Sequence, residues 1–251
     1  MGFLALIIFP FLTSFGLVGQ EIAITIESGV LPIVDGIGSF ETEWKQSSEY
    51  VKTYEDGTKL ALRAVHDRDN VYLLLDTVTD SKINKNGDFG TVCFDIMNNG
   101  GHMPQNDDYC FLVAQGSKTF VTYQGGSNFG INNFLNKIPN PEGIEAHAGI
   151  SNEFNRYSSI PHAIYEFKIP TEVITRSNTY GFYFAVYDAD TRTVYSMSEK
   201  FQRYPYVPSP DQWGRLVSPD NSLPEFHAIQ LILILSSVLL IVSSTRIVKM
   251  H

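Results

Sequence analysis

From Thr58 to Val217 the chain repeats one pattern: apolar or alternating runs of five to ten residues, most of them closed within two residues by Gly, Asn, Asp or Pro. No long helical periodicity interrupts it, and only Pro170–Arg176 could form a helical turn or two. Runs of that length, punctuated by turn residues, specify short strands rather than helices. Strands are expected at Thr58–Asp67, Val71–Thr79, Thr91–Met97, Asp108–Ala114 and Lys118–Gln124. Further strands are expected at Ile144–Ile150, Ala163–Ile169, Tyr180–Tyr187, Thr193–Met197 and Trp213–Val217. The first two form a hairpin about Asp67-Arg68-Asp69-Asn70, where Asp and Asn bond their own backbone. In Val71–Thr79 both strand faces are apolar, which means a central strand or one covered on both faces. Many short strands in one body of about 205 residues predict an all-β fold, a two-sheet antiparallel β-sandwich.

Both ends of the chain are apolar. Ala228 to Thr245 carries no charge and is closed by Arg246 and Lys249. That length suits one transmembrane helix, and its basic flank marks the cytoplasmic side. Met1 to Gly19 has the length of a signal-peptide apolar region but lacks a Lys or Arg before it, so an uncleaved anchor is the alternative. The expected organisation is a signal peptide over 1–20, the sandwich over 21–217 and a stalk over 218–227. A membrane anchor over 228–245 and a cytoplasmic tail over 246–251 follow. This makes the protein a single-pass cell-membrane protein with an extracellular body.

All 27 acidic residues but only 16 of the 18 basic ones fall within that body, a net charge of about −11. So negative a body argues against nucleic acid and against anionic lipid surfaces, and it equally suits solubility alone.

A turn near Gly101–His102 between Thr91–Met97 and Asp108–Ala114 sets Cys93 opposite Cys110, the only two cysteines. Opposed residues on antiparallel strands lie close to disulfide range, and outside the cell such a bridge persists. The alternative is two unbridged thiols. The same register sets Asp95 opposite Asp108, with Asp107 alongside and Asn98 at the head of the loop Asn98–Asn106. Oxygen-only ligands on a Gly-containing loop suit Ca2+ rather than a transition metal. The alternative is a solvated turn whose Asn and Asp side chains bond their own backbone.

No phosphate-binding loop, paired-histidine helix or serine-hydrolase elbow occurs, so no catalysis is expected. Aromatic rings with neighbouring carboxylates could grip a sugar: Phe89, Tyr204, Tyr206 and Trp213, with Asp88. Tyr183 and Tyr187 share one face of their strand; Trp44 is expected in the core. The long loop Gly125–Pro141 carries Phe129, Ile131, Phe134 and Leu135, and either plugs the sandwich edge or covers a ligand. A different class of function is electron transfer through non-covalent haem, with Met197 and Lys200, or Met103 and His102, as axial ligands. A third is a structural envelope protein that meets protein partners without a small ligand.

Several stretches, in order, resemble the family 9 carbohydrate-binding modules. These are Pro32-Ile33-Val34-Asp35-Gly36 with Glu43-Trp44, the Leu62–Asp80 hairpin, and Phe94-Asp95 with Asn98-Asn99-Gly100. Asp107-Asp108 and Trp213-Gly214-Arg215-Leu216 complete the set. The resemblance implies a β-sandwich, a non-catalytic polysaccharide-binding role and bound calcium. It also implies a distant kinship to haem-binding domains of the ethylbenzene-dehydrogenase type. Sugar-binding members use a tryptophan pair as a clamp. Here Asn86-Gly87-Asp88-Phe89 holds no Trp, the second clamp position falls near Tyr204-Pro205-Tyr206, and Leu112 stands where an arginine is expected. Pro224-Glu225-Phe226 before the apolar run is similar to an archaeal PEF-type sorting signal, which implies cleavage and lipid attachment of the body.

Overall fold

The computed structural model describes residues 20–26, 30–126, 135–152, 154–197, 200–201 and 207–219. The expected signal segment up to Gly19, the membrane anchor and nearly all of the stalk lie outside these residues. Among the described residues no helix is long and apolar enough to cross a membrane.

The described chain is almost entirely β. Its strands are β1 (Glu21–Ala23), β2 (Thr25–Ile26), β3 (Ser48–Thr53), β4 (Lys59–His66) and β5 (Asn70–Thr77). Then come β6 (Phe89–Asp95), β7 (Asp108–Ala114), β8 (Val121–Gln124), β9 (Asn136–Ile138) and β10 (Glu145–Ile150). The last are β11 (Ala163–Pro170), β12 (Thr179–Asp188), β13 (Thr193–Ser196), β14 (Lys200–Phe201) and β15 (Gly214–Val217). One sheet runs β1-β15-β12-β6-β7-β8-β9, with β13 and β14 extending from β12; the other runs β10-β11-β5-β4-β2, with β3 also on β4. Pairing is antiparallel except at β1–β15 and β2–β4, two short parallel ladders that depart from the all-antiparallel expectation.

Alternation along the strands decides what each face meets. Tyr165 of β11 lies against Gly90 of β6, where a Cβ would come within 2.5 Å of the ring, so the faces bearing Gly90 and Tyr165 look at each other. Between the sheets pack Val92, Phe94, Phe111, Phe182 and Phe184 with Leu73, Leu75 and Phe167, all fully buried. Each such side chain contributes about 1.5–3 kcal/mol by leaving water.

The second sheet is covered on its other face as well. Tyr72, Leu74, Val65 and Ile164 pack against Val34, Phe40 and Trp44 of the leading segment. This is the two-sided burial that Val71–Thr79 predicts. A buried acceptor, Glu166, fastens that segment. Its Oε2 accepts the Asp35 and Gly36 N–H groups at 3.1 and 2.8 Å, and its Oε1 accepts Trp44 Nε1 at 3.0 Å. Trp44 is fully buried, the core anchor its position predicts.

The long loop is strand in part: β9 pairs with β8, and Leu135 packs on the core. Residues 127–134, with Phe129, Ile131 and Phe134, lie outside the described residues.

Candidate cation and ligand site

The β6–β7 ladder pairs Cys93 with Cys110 and Asp95 with Asp108, the register read from the sequence. Cys93 and Cys110 form a disulfide. By alternation it lies on the face of β6 turned away from the second sheet, yet both cysteines are buried. Tyr183 of β12 pairs with Cys93, and Trp213 lies beside Tyr183 within the same apolar cluster.

Two residues further along β6, on the same face, the carboxylates of Asp95, Asp107 and Asp108 converge. Each offers an oxygen within 4.8 Å of the others. Asp95 is 1% and Asp108 0% exposed, while Asp107 is half-buried. The loop that follows is wrapped around Asp95: Asn99 N–H donates to its Oδ1 at 3.2 Å and Gly100 N–H to its Oδ2 at 2.7 Å. Gln105 N–H donates to Asp108 Oδ2 at 2.5 Å, and Asn99 Nδ2 to Asp107 Oδ2 at 3.2 Å. Asp108 Oδ1 is buried without a hydrogen-bond partner. Burial, and secondarily the charges of Asp95 and Asp107, pushes Asp108 up to about 7. A cation at this point would satisfy that oxygen and cancel the repulsion between Asp95 and Asp108.

Asn98, the fourth expected ligand, is exposed at the turn, with a φ of 49° and its N–H closing on Asp95 O at 3.2 Å. Across β12, Gly181 stands opposite Asp95. A Cβ there would come 2.8 Å from Asp95 Cβ and 2.9 Å from its Oδ2, so glycine is what leaves room for the carboxylate. The loop also docks on Pro210–Gln212: Asp211 N–H donates to Gly101 O at 3.1 Å, and His102 Nδ1 lies 2.6 Å from Asp211 Oδ2.

The residues expected to grip a ligand are distributed differently. Phe89 stacks on Tyr187 with ring centres 5.2 Å apart and planes at 25°. Trp213 lies near-parallel to Tyr183 at 6.2 Å, is 5% exposed, and donates from Nε1 to Pro208 O at 2.8 Å. Tyr187 and Tyr183 are four residues apart on β12, about 13 Å along the strand, so the two aromatic pairs are separate. Asp88 is fully buried: Oδ1 accepts Ala189 N–H at 2.9 Å and Oδ2 accepts Asn84 N–H at 2.5 Å. Tyr204 and Tyr206 lie outside the described residues.

Solved structures of carbohydrate-binding modules are similar to this chain. One is a family 9 module from Caldicellulosiruptor kristjanssonii in complex with cellotriose. It has 14% identity and a TM-score of 0.49, covering 83% of this chain and all of that one. Another from the same organism, in complex with glucose, has 15% identity and a TM-score of 0.46, covering 79% of this chain and 95% of that one. No protein-family model matches the chain, and no curated protein sequence does.

Of the haem-ligand candidates, Met197 is buried, with its methyl facing Gly214, and the side chain of Lys200 lies outside the description. Met103 and His102 are exposed. Two acidic residues missed by the sequence reading, Asp80 and Asp188, gather around Asp88. Their approach depends on β12 pairing with β6 and on the second sheet closing over both. No local spacing announces either contact; the only signal is that each acid closes a strand.

Proposed function

We propose that this chain is an exported, membrane-anchored, non-catalytic module that binds glycan at the cell surface, with calcium ordering the loop after β6. The observation that carries the reading is the convergence of Asp95, Asp107 and Asp108, with Asp108 Oδ1 buried and unpartnered. These residues belong to the ordered motifs through which the sequence resembles family 9 modules. Hard oxygen ligands in irregular array suit Ca2+, which accepts six to eight oxygens without strict geometry.

Sugar rings offer flat C–H faces to aromatic rings and hydroxyls to carboxylates and amides. Phe89 with Tyr187 supplies one aromatic surface, and Tyr204 and Tyr206 follow β14 in the chain. Trp213, with its ring buried and its N–H committed to Pro208, supports the wall of such a site rather than meeting the ligand. The exterior location is supported by the two apolar chain ends and by the disulfide, a bond that persists in oxidising compartments.

The test is a binding panel of polysaccharides, beginning with cello-oligosaccharides, run with calcium and with EDTA. Micromolar-to-millimolar binding that weakens in EDTA is expected. Silence across the panel overturns the glycan reading, and binding untouched by EDTA overturns the role of the cation. Protease added to intact cells should remove the body, and protection until lysis would overturn the location.

A further inference from the structure

We propose that His162 and Asp76 form a pH-operated latch: one proton held between them fastens residues 155–161 to the outer face of the second sheet, and its loss as pH rises releases that stretch. The latch is independent of the glycan reading. Alternation along β5 puts Asp76 on the face of Tyr72 and Leu74, turned away from the first sheet. Ile164 of β11 is paired with Asp76, and His162 stands two residues before Ile164. The side chains of His162 and Asp76 are 0% and 2% exposed. The backbone of His162 is fixed as well. Ser151 N–H donates to its carbonyl at 2.9 Å, and its own N–H donates to Ser151 Oγ at 3.1 Å.

The two neighbours of the ring locate the proton. His162 Nδ1 lies 2.7 Å from the carbonyl oxygen of Ile160. A carbonyl only accepts, so Nδ1 carries a hydrogen. Nε2 lies 2.6 Å from Asp76 Oδ1. In a neutral ring with Nδ1 protonated, Nε2 would turn a bare lone pair on a carboxylate oxygen, a repulsive contact. The pair therefore holds one proton more. Asp76 Oδ2 accepts Asn155 Nδ2–H at 2.7 Å, which favours the carboxylate and leaves the proton on the ring. Neither Nε2 nor Oδ1 makes a well-directed hydrogen bond, so opposite charge is what holds this contact.

The stretch it fastens is held by polar contacts. Asn155 hangs from the same carboxylate and accepts Tyr157 N–H at Oδ1, 2.8 Å away. Tyr157 OH accepts Arg63 Nη2–H at 3.0 Å, and Arg156 Nη1–H donates to Glu49 Oε2 at 2.9 Å. The large apolar side chains contribute little, Phe154 and Ile160 being 68% and 63% exposed. Losing the buried ion pair is therefore felt by the whole stretch. The charged groups facing the ring are Asp76 on β5 and Asp80 just beyond it. Arg63 of β4, on the same outer face, is committed to Glu49 and Tyr157. Glu166 stands four residues further along, about 13 Å away. Burial opposes the charged ring, but Asp76, the Ile160 carbonyl and Asp80 outweigh it and raise His162 above its ordinary 6.5. The folded chain thus holds the proton more tightly than the unfolded one. The latch is fully closed below about pH 6.5 and is lost as pH rises through the folded value.

Backbone hydrogen exchange of the full-length chain in mild detergent, read by mass spectrometry and corrected for the intrinsic rate, is the experiment. Between roughly pH 6 and pH 9, protection over residues 155–161 should fall about tenfold or more, while β11 keeps its own. His162→Gln keeps a donor toward Asp76 but cannot titrate, so its protection should be the same at both ends of that range. No fall in the wild type, or an equal fall in His162→Gln, overturns the latch. As a readout free of variants, nitrogen NMR of the wild type labelled at histidine should show the His162 ring as an imidazolium whose midpoint lies above 6.5. A midpoint at or below that value overturns the proposal.

Discussion

Trp44 and Glu166 meet across 122 residues of chain, the indole Nε1 donating to Oε1 at 3.0 Å in a fully buried contact. One carboxylate thereby fixes both the turn at Gly36 and the tryptophan that covers the second sheet. Trp44→Phe keeps most of the apolar volume but removes the donor. It should destabilise the fold by about 2–4 kcal/mol, from lost ring area and an unsatisfied carboxylate oxygen. Chemical denaturation of the two proteins measures this, and a difference below about 0.5 kcal/mol would contradict the role given to the bond.

Glu166 also predicts a pH dependence. Burial pushes its carboxyl up to about 7 from an ordinary 4.5, Asp35 adding to the rise and the Gly36, Trp44 and Asp35 N–H donors opposing it. Because the folded state holds this proton more tightly than the unfolded one, its contribution to stability is full below pH 4.5. It is lost as pH rises through 7. The slope lies between about pH 4.5 and 7 and amounts to at most roughly 3 kcal/mol. Denaturation at saturating calcium across that range, comparing wild type with Glu166→Gln, should show a flatter profile in the variant.

Reducing the Cys93–Cys110 bridge releases a loop closed over a sequence separation of 17 residues. Loops of that size contribute about 3 kcal/mol. The paired Cys93→Ala, Cys110→Ala variant should therefore melt roughly 6–12 °C lower. Intact mass after alkylation without reductant should show no modified cysteine in the wild type.

Gly181→Ala tests the pocket around Asp95 without touching a carboxylate. Its new methyl would come 2.9 Å from Asp95 Oδ2 and must displace it. Calcium affinity at the Asp95 site should fall about tenfold or more, the equivalent of about 1.4 kcal/mol, while a fold-level probe such as far-ultraviolet dichroism stays unchanged. Equal affinity in the two proteins would place the cation elsewhere.

Legibility from sequence tracked the distance along the chain over which each contact forms. The β6–β7 register was readable because the two strands are consecutive in the chain and joined by a single loop. The pairing of Cys93 with Cys110 and of Asp95 with Asp108 followed from a single turn position. β4 and β5 were readable for the same reason. The short strands β1, β2, β3, β9 and β14 were not, since two to six residues carry too little periodicity and their partners lie far away. Asp88 illustrates the limit. Its place beside Phe89 suggested a ligand contact, but alternation turns it inward, toward Asp188 and Asp80, which sit on elements that sequence spacing cannot bring together. Glu166 reads as an ordinary polar position in a strand, and only the return of the leading segment over the second sheet makes it a buried acceptor.

The parallel ladder between β1 and β15 makes neighbours of the first and last strands described. A ribosome releases Glu21 long before Arg215, so the sheet's margin stays unzipped throughout synthesis. Its completion is a late, long-range step, slow by the usual relation between contact separation and rate. Until β15 emerges, the edge of β12 along Thr179–Phe182 has no partner there, and the first strand has no place to dock.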